Sequence, residues 1–441
     1  MKKAAFHNLG CKVNAYETDV MEEELVRAGY EIVPFEDAAD VYIINTCTVT
    51  NIADRKSRQM INRAKRKNPD AIVVAVGCYV QTSEGKDSPD DMADIRIGNN
   101  EKGRLAEIIE DYKIGNKNGE SEKTGIVDDL RGVSPYEDMQ LGRISEHTRA
   151  YIKIQDGCNQ FCSYCIIPMA RGRVRSRKEA EILKEIEGLV KEGCREFIIT
   201  GIHISSYGTD FDIPGKIVPS DTFGEKRLLG LLEAINAIPG VERIRLGSLE
   251  PRIMTESFVE TMAGFEKICP HFHLSLQSGS DTVLKRMNRH YDTAEYLECV
   301  ERLRKHFDDP AITTDIIVGF PGETEEEFGQ TLEFAEKVGF FEIHIFKYSK
   351  RHGTVAAGMK GQLTENLKSE RSDRLEEVEK KLEQDYRDRH KGKRAEVLWE
   401  EEKEEGGIRF MTGHTREYIE VKLPIPEGAK WKSGDISEIT L

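Results

Sequence analysis

Gln155-Asp156-Gly157-Cys158-Asn159-Gln160-Phe161-Cys162-Ser163-Tyr164-Cys165 carries three cysteines at the spacing C-x3-C-x2-C. A strand expected over residues 150–155 delivers this loop. Thiolates are the usual protein ligands of iron–sulfur clusters. A four-iron cluster takes four ligands, and the motif offers three. A structural zinc site wants a fourth Cys or His nearby, and none follows at short spacing. One iron of such a cluster would stay open to a small ligand. A zinc clip, or three ordinary buried thiols, is the competing reading.

Working outward, further strand candidates lie at 196–200, 241–246, 271–276, 313–318 and 341–346. Helical patterns fall between them, near 178–192, 227–238, 255–264, 293–306 and 325–338. Six such units predict a partial (β/α)6 barrel, whose site belongs at the carboxyl ends of the strands. The segments there are Thr200-Gly201-Ile202-His203, Gly247-Ser248-Leu249-Glu250-Pro251-Arg252, Leu276-Gln277-Ser278-Gly279-Ser280 and Gly319-Phe320-Pro321-Gly322-Glu323-Thr324. Each alone is a weak signal, because most Gly-containing turns only end a strand. Thr324 with Glu327 reads as a capping box. Directly after the cysteines comes Arg171-Gly172-Arg173-Val174-Arg175-Ser176-Arg177. It is either a solvated basic loop or a set of forked donors for phosphate or a cofactor carboxylate. His203, His271 and His273 receive no catalytic role, and Cys194, Cys269 and Cys299 read as core or surface thiols.

The amino-terminal hundred residues alternate strands (4–9, 41–44, 71–76, 94–97) with helices, one of them basic over 51–67. That pattern predicts an open parallel α/β sheet with right-handed crossovers. Cys11, Cys47 and Cys78 each fall just past a strand's carboxyl end. Those ends share one edge, where ligands bind in such sheets. The three thiols should therefore converge as a second cluster site. Residues 114–143 read as a linker with little core. A charged helix over 364–390 leaves the barrel, followed by short strands at 395–399, 408–412, 418–423 and 436–441 that suggest a small β-barrel. The expected division is 1–113, 114–143, 144–374 and 377–441. Any RNA face of the last unit would include Lys393, Arg394, His414, Arg416 and Tyr418, and Glu400 to Glu405 would be a solvated hairpin tip.

The chain has 441 residues, 38% hydrophobic and 32% charged, with net charge −15. That suits a soluble α/β protein of several domains. The opening residues are too poor in apolar side chains for a signal peptide, and no apolar run approaches a membrane span. Nine cysteines without a signal argue for reduced thiols and metal in the cytoplasm. The acidic balance does not exclude a nucleic-acid partner, because local basic clusters act within a screening length of about 8 Å.

The cysteine loop and its surroundings resemble the radical S-adenosylmethionine (SAM) superfamily. Leu9-Gly10-Cys11-Lys12-Val13-Asn14, Asn45-Thr46-Cys47-Thr48-Val49-Thr50 and Val76-Gly77-Cys78-Tyr79 resemble the methylthiotransferase family within it. The wording of 51–59 is most similar to the branch that modifies N6-threonylcarbamoyladenosine in tRNA. The carboxyl-terminal module resembles the RNA-binding TRAM domain. The resemblance implies two [4Fe-4S] clusters and SAM as cofactors. It implies Cys158, Cys162 and Cys165 as catalytic cluster ligands, and Cys11, Cys47 and Cys78 as ligands of the second cluster. It further implies cofactor contacts at Gly201, Ser248, Gln277, Arg171 and Gly319, although the acidic residue usual after strand two is absent here. The implied reaction cleaves SAM to a 5′-deoxyadenosyl radical, abstracts the C2 hydrogen of adenosine-37 and inserts a methylthio group. The implied partners are a tRNA anticodon loop and a flavodoxin- or ferredoxin-like electron donor, with no membrane and the oligomeric state open. The rivals are the same chemistry on isopentenyl-adenosine or on a ribosomal-protein aspartate, and a non-catalytic iron–sulfur RNA-binding or electron-transfer protein.

Overall fold

A computed structural model describes residues 2–82, 92–117, 124–143, 148–425 and 431–441. Val41–Thr46 is buried on both faces, as a central strand of a parallel sheet must be. It sits inside a six-stranded parallel sheet of order β2-β1-β3-β4-β5-β6. The elements in chain order are β1 (Lys2–Asn8), α1 (Lys12–Arg27), β2 (Tyr30–Val33), β3 (Val41–Thr46) and α2 (Asn51–Lys67), then β4 (Ile72–Gly77), α3 (Cys78–Thr82), β5 (Ile95–Ile97), α4 (Leu105–Lys117) and β6 (Thr124–Ile126).

Two of these strands correct the sequence reading. The edge strand β2 was not expected, because Tyr30 to Val33 is short and only partly buried. The other, β6, falls inside the expected linker. Leu130, Met139 and Leu141 of that stretch are buried as well. Its apolar residues are isolated among polar ones, so they show no period, yet each enters the core. Residues 118–123 and 144–147 of the expected linker lie outside the described residues.

The barrel runs through β7 (Arg149–Asp156), α5 (Ile167–Ala170), β8 (Arg175–Ser176), α6 (Glu179–Lys191), β9 (Glu196–Gly201), α7 (Glu225–Ala237) and β10 (Arg243–Leu246). It continues with α8 (Glu256–Ala263), β11 (His271–His273), α9 (Asp281–Arg286), α10 (Thr293–His306), β12 (Ala311–Val318), α11 (Glu325–Val338) and β13 (Glu342–Lys347). Hydrogen-bonded orders are β10-β9-β7-β8 and β11-β12-β13. Single bridges such as Ile244 to Ile268 and Leu249 to Leu274 join the halves. Alternate residues of each strand (Ile152, Ile199, Leu246, Phe272, Ile316) pack outward into the core beneath the helices. By the two-residue period of a strand, their neighbours Lys153, Thr200, Arg245, His273 and Asp315 point into the barrel. The lumen is therefore polar, unlike the aliphatic filling of a closed eight-stranded barrel. Thr324 accepts from the Glu327 N–H and completes the expected capping box of α11.

Helix α12 (Glu365–His390) follows, burying Leu375 and Leu382. The chain ends in a curled antiparallel sheet of order β16-β15-β14-β17. Its strands are β14 (Arg394–Glu405), β15 (Ile408–Thr415), β16 (Glu420–Pro424) and β17 (Ile436–Thr440). Trp399 is fully buried there and stacks on Trp431 at 4.7 Å. Glu401 to Glu405 lie exposed at the far end of the hairpin as expected, whereas Glu400 is half-buried and pairs with Arg149 and His414.

The expected RNA face of this module is mostly occupied by the barrel. Arg416 donates to the Glu266 and Ile268 carbonyls at 2.6 and 2.9 Å. Tyr418 is stacked between His271 and His414, at 5.0 and 4.4 Å. These polar side chains close the amino-terminal end of the lumen, where Arg149, Arg243 and Arg245 surround the buried Glu196. Among the described residues no helix is long and apolar enough to cross a membrane.

Candidate active site

The hairpin β7–β8 shapes the first cysteine loop. Gly157 has φ +71°, and a Cβ there would lie 1.9 Å from the Arg173 carbonyl oxygen, so only glycine fits. The Cys158 N–H donates to the Gly172 carbonyl at 3.0 Å. Farther along, Ser163 Oγ donates to the Arg286 carbonyl at 2.8 Å, and Asn288 Nδ2 to the Phe161 carbonyl at 3.1 Å. Phe161 itself is left-handed at φ +49°. Burial, then the neighbouring Cys162 and Cys165 thiols, push the Cys158 thiol up. Burial and then Cys162 push Cys165 up to about 12. Thiols raised as Cys158 and Cys165 are give up their protons to a bound cation rather than to water.

The second trio stands on neighbouring strands, after β1, β3 and β4. Gly10 lets Cys47 approach, since a Cβ on it would sit 3.2 Å from the Cys47 Cβ. Burial pushes Cys47 up to about 11, with Cys78 and Cys11 adding to it. Asn99 Nδ2 and Arg171 Nε donate to Cys78 Sγ at 3.4 and 3.3 Å.

The spacing of the thiols tests the zinc reading. One ligand atom each from His273, Asp315 and His344 forms the sole trio of His, Cys, Asp or Glu among the described residues closing to within 4.8 Å. Neither cysteine trio is that tight. Tetrahedral zinc, at about 2.3 Å from each sulfur, needs sulfurs about 3.8 Å apart. Neither trio is set as a compact zinc site, three thiol donors suit an iron–sulfur cluster, and among the described residues neither trio has a fourth protein ligand at that spacing.

Behind both trios lies a buried charge network. Lys153 Nζ reaches Glu17 at 2.6 Å and Asp156 at 2.7 Å. Lys102 pairs with Glu17, and Arg175 with Asp156 at 3.3 Å. Arg171 joins both carboxylates and gives its remaining terminal nitrogen to Asn14 Oδ1 at 2.6 Å. Four cations around two carboxylates leave positive charge next to Cys78 and the Cys158 loop, which suits anionic sulfur ligands. This relocates Arg171: expected at the cofactor, it is wholly buried at the junction of the amino-terminal sheet and the barrel. Arg175 and Arg177 are buried too, the latter paired with Glu185. The basic run is thus a packed strand hairpin. Arg173 alone is turned out of it, lying 4.5 Å over the Phe161 ring.

A cavity of about 1160 Å³, including its mouth, opens at the carboxyl ends of the barrel strands. Cys158, Cys162 and Cys165 form one wall, and Val49 and Thr50 from the Cys47 loop face it. Ser248 and Gln277, two of the expected cofactor contacts, line it, Gln277 in the left-handed region at φ +74°. Gly201 does not line it; Ile202 and His203 do. Gly319 also lies outside it. Its N–H donates to Glu323 at 2.8 Å, and a Cβ on it would meet Lys368 of α12 at 2.4 Å.

Sequence reasoning passed over Glu250, Arg289 and Asp315, which also line the cavity. Arg289 donates to Cys162 Sγ at 3.2 Å and to Glu250 at 2.8 Å. Burial would raise the Glu250 carboxyl, but Arg289 and then His203 hold it down at about 2. Arg289 sits in no motif, and only the fold brings it to the cysteines. Arg351, after β13, clamps the Cys47 loop by donating to Thr48 Oγ1 and Asn51 Oδ1 at 2.7 and 2.6 Å and pairing with Asp54 at 2.7 Å. The two cysteine regions are thereby held at one cavity.

Residues 152–335 match the radical SAM superfamily, and residues 3–97 match the uncharacterized protein family UPF0004. The chain is 40% identical to the threonylcarbamoyladenosine tRNA methylthiotransferase MtaB of Bacillus subtilis, over 96% of this chain and 90% of that protein. The MtaB of Thermotoga maritima is also 40% identical, over 91% and 87%. A tRNA-2-methylthio-N(6)-dimethylallyladenosine synthase of a Thermoanaerobacter species is 35% identical, over 89% and 80%. Among solved structures, the radical SAM methyltransferase TsrM of Kitasatospora setae superposes with a TM-score of 0.54, covering 78% of this chain and 73% of that one at 16% identity. At that identity the likeness speaks for the fold.

Proposed function

The chain belongs to the tRNA methylthiotransferase family of radical SAM enzymes, and on that footing we propose that it converts N6-threonylcarbamoyladenosine in tRNA to its 2-methylthio derivative. The observation that carries the reading is one cavity walled by Cys158, Cys162 and Cys165 and faced by Val49 and Thr50 of the loop that carries Cys47, which Arg351 holds in place. The extended likeness to MtaB proteins, above that to the dimethylallyladenosine enzymes, favours this nucleoside.

Cys158, Cys162 and Cys165 would hold one [4Fe-4S] cluster, and Cys11, Cys47 and Cys78 the other. When bound, the clusters and SAM supply the one-electron chemistry, sulfur and methyl group that an unactivated aromatic C–H bond requires. The chain's own residues hold and shield. Arg289 fixes Cys162 against Glu250, and Arg171 fixes Cys78. Ser248 and Gln277 offer polar groups to a ligand lying against the first trio. The mouth carries the exposed apolar side chains Val49, Ile52 and Phe161. Exposed Arg55 and Lys56 stand beside them at the start of α2. Apolar and aromatic surface next to cations suits a single-stranded loop with splayed bases. The reading takes adenosine-37 of the anticodon loop as the target, the cytoplasm as the compartment and a flavodoxin- or ferredoxin-like protein as electron donor.

The test is anaerobic reconstitution, assay of iron, sulfide and 5′-deoxyadenosine, and analysis of tRNA bearing either modified adenosine. About eight irons per chain, SAM cleavage lost in Cys162→Ala, and methylthiolation of the threonylcarbamoyl nucleoside are expected. Product only on dimethylallyl-adenosine would transfer the chain to the sister activity. Clusters without SAM cleavage would place it among binding or electron-transfer proteins.

A further inference from the structure

Three polar side chains converge in the lumen outside both cysteine trios. Asp315 and His344 are paired residues of β12 and β13. His273 of β11 is paired with Thr313, two residues before Asp315. The two-residue period of a strand turns all three side chains to the same inward face. One ligand atom from each lies within 4.8 Å of the others. All three stand on strands, so the sheet fixes their spacing.

The hydrogen bonds around the trio leave one buried nitrogen unpartnered. His273 is buried, and its Nδ1 lies 3.1 Å from Thr313 Oγ1. That oxygen lies 3.4 Å from His271 Nε2. A hydroxyl that donates to His271 accepts from His273 Nδ1–H, and the lone pair of His273 Nε2 is then unused. This Nε2 has no hydrogen-bond partner among the described residues, although an Asp315 oxygen is only 3.4 Å away. An ordinary histidine–aspartate pair aims the N–H at the carboxylate. Here the two atoms lie side by side instead. The His344 ring stacks on His273 at 5.6 Å, and its Nδ1 lies 3.5 Å from a Glu342 oxygen.

Two imidazoles and one carboxylate, each imidazole backed by an oxygen, form the donor set of a mononuclear transition-metal site. Magnesium and calcium take oxygen ligands instead. The spacing agrees as well. Bonds of about 2.1 Å around a tetrahedral ion put ligand atoms about 3.4 Å apart, the separation of His273 Nε2 from Asp315. The lumen's guanidiniums are engaged elsewhere: Arg245 pairs with Glu196 at 3.1 Å, and Arg149 with Glu400. We propose that His273, Asp315 and His344 bind one divalent transition-metal ion, separate from the two cysteine sites. Three protein ligands leave a position for water or another oxygen donor. Asp315 also lines the main cavity, so the ion borders the space that the first cysteine trio walls. This goes beyond the function proposed above and holds whichever nucleoside is modified.

Zinc is the probe. Full-length protein with its clusters loaded is treated briefly with a chelator, equilibrated with zinc and desalted. Zinc is counted, its affinity is read by competition with a chromophoric chelator, and its ligand shell is read by X-ray absorption at the zinc edge, where iron does not contribute. The expected result is about one zinc per chain, with nitrogen and oxygen at about 2.0–2.2 Å and no sulfur. Asp315→Asn and His344→Gln should each weaken zinc roughly a hundredfold or more, and Glu342→Gln roughly tenfold. The His344 side chain is nearly half exposed, so His344→Gln leaves the core closed, and its iron content and cluster absorption should match wild type. Failure to retain zinc overturns the site. A sulfur shell at about 2.3 Å overturns it too, because the zinc would then sit among cysteines. Zinc binding that neither His344→Gln nor Asp315→Asn weakens does the same. No readout involves tRNA, so the metal site can fail while the function stands, and the reverse.

Discussion

Arg171 Nε lies 3.3 Å from Cys78 Sγ while its two terminal nitrogens are committed to Glu17, Asp156 and Asn14. One guanidinium therefore ties a thiol of the amino-terminal sheet to the carboxylate that precedes the other cysteine loop. Its planar fork allows this, and a lysine ammonium cannot reproduce the three directions.

Arg171→Met should strip Glu17, Asp156 and Asn14 of the hydrogen bonds this guanidinium donates to them in the interior and cost about 3–5 kcal/mol of stability. Arg171→Lys should recover only part. Denaturant unfolding reads the energy, and iron content should fall toward half because Cys78 loses its support. Unchanged stability and iron would refute the linking role.

Gly157→Ala places a methyl group 1.9 Å from the Arg173 carbonyl at a left-handed φ. The hairpin must open, so the first cluster should be lost while the second remains. Gly29→Ala is the control. Its φ is also positive, at +87°, but nothing lies within 4 Å of the added carbon. That change should cost only about 1 kcal/mol. Iron analysis and thermal unfolding of both variants give the comparison.

Burial pushes the Glu24 carboxyl from 4.5 up to about 7, despite the Ala106 and Leu105 N–H donors. Its Oε2 has no hydrogen-bond partner. Between pH 4.5 and 7 the folded chain binds more protons than the unfolded one, so this group lowers stability as pH rises through that window. The full shift corresponds to roughly 3 kcal/mol. Solvent reaches part of the side chain, so about 1–2 kcal/mol is expected. Glu24→Gln should stabilise the protein by that amount at pH 8 and by nothing at pH 4. A pH-independent effect would contradict the assignment.

Tyr418 is packed between two histidine rings, with the Arg245 and Arg149 guanidiniums 4.7 and 5.3 Å from its ring centre. Tyr418→Ala should cost about 3–5 kcal/mol and loosen the last module. Proteolysis near Lys391 and Lys393 should accelerate, with the barrel resistant. A protease pattern identical to wild type would show that the module is held elsewhere.

The basic run Arg171 to Arg177 shows where reading from residues alone stops. Its charge is visible in sequence, but whether an arginine faces solvent or a buried carboxylate depends on Glu17 and Glu185, which are distant or carry no local mark. Part of the face expected to bind RNA on the carboxyl-terminal module is occupied for the same reason, while Lys393 and Arg394 stay exposed. His414, Arg416 and Tyr418 were polar and unclaimed, and the base of the barrel claimed them. The strand β6 was hidden because three residues at a sheet edge are too few for a period to show.

The sequence by itself determined the alternation of strands and helices, the two cysteine trios and their place at strand ends, and through them the chemistry and family. Those features are local: a period, a spacing, a glycine where the backbone turns. The tertiary structure alone decided that the first trio and the loop after Cys47 face one cavity, that Arg289 and Arg171 reach their sulfurs, and that His273, Asp315 and His344 converge in the lumen. These are contacts between residues far apart in the chain. Whether a charge is buried, paired or open is set by the field of all its neighbours, which no short window of residues contains.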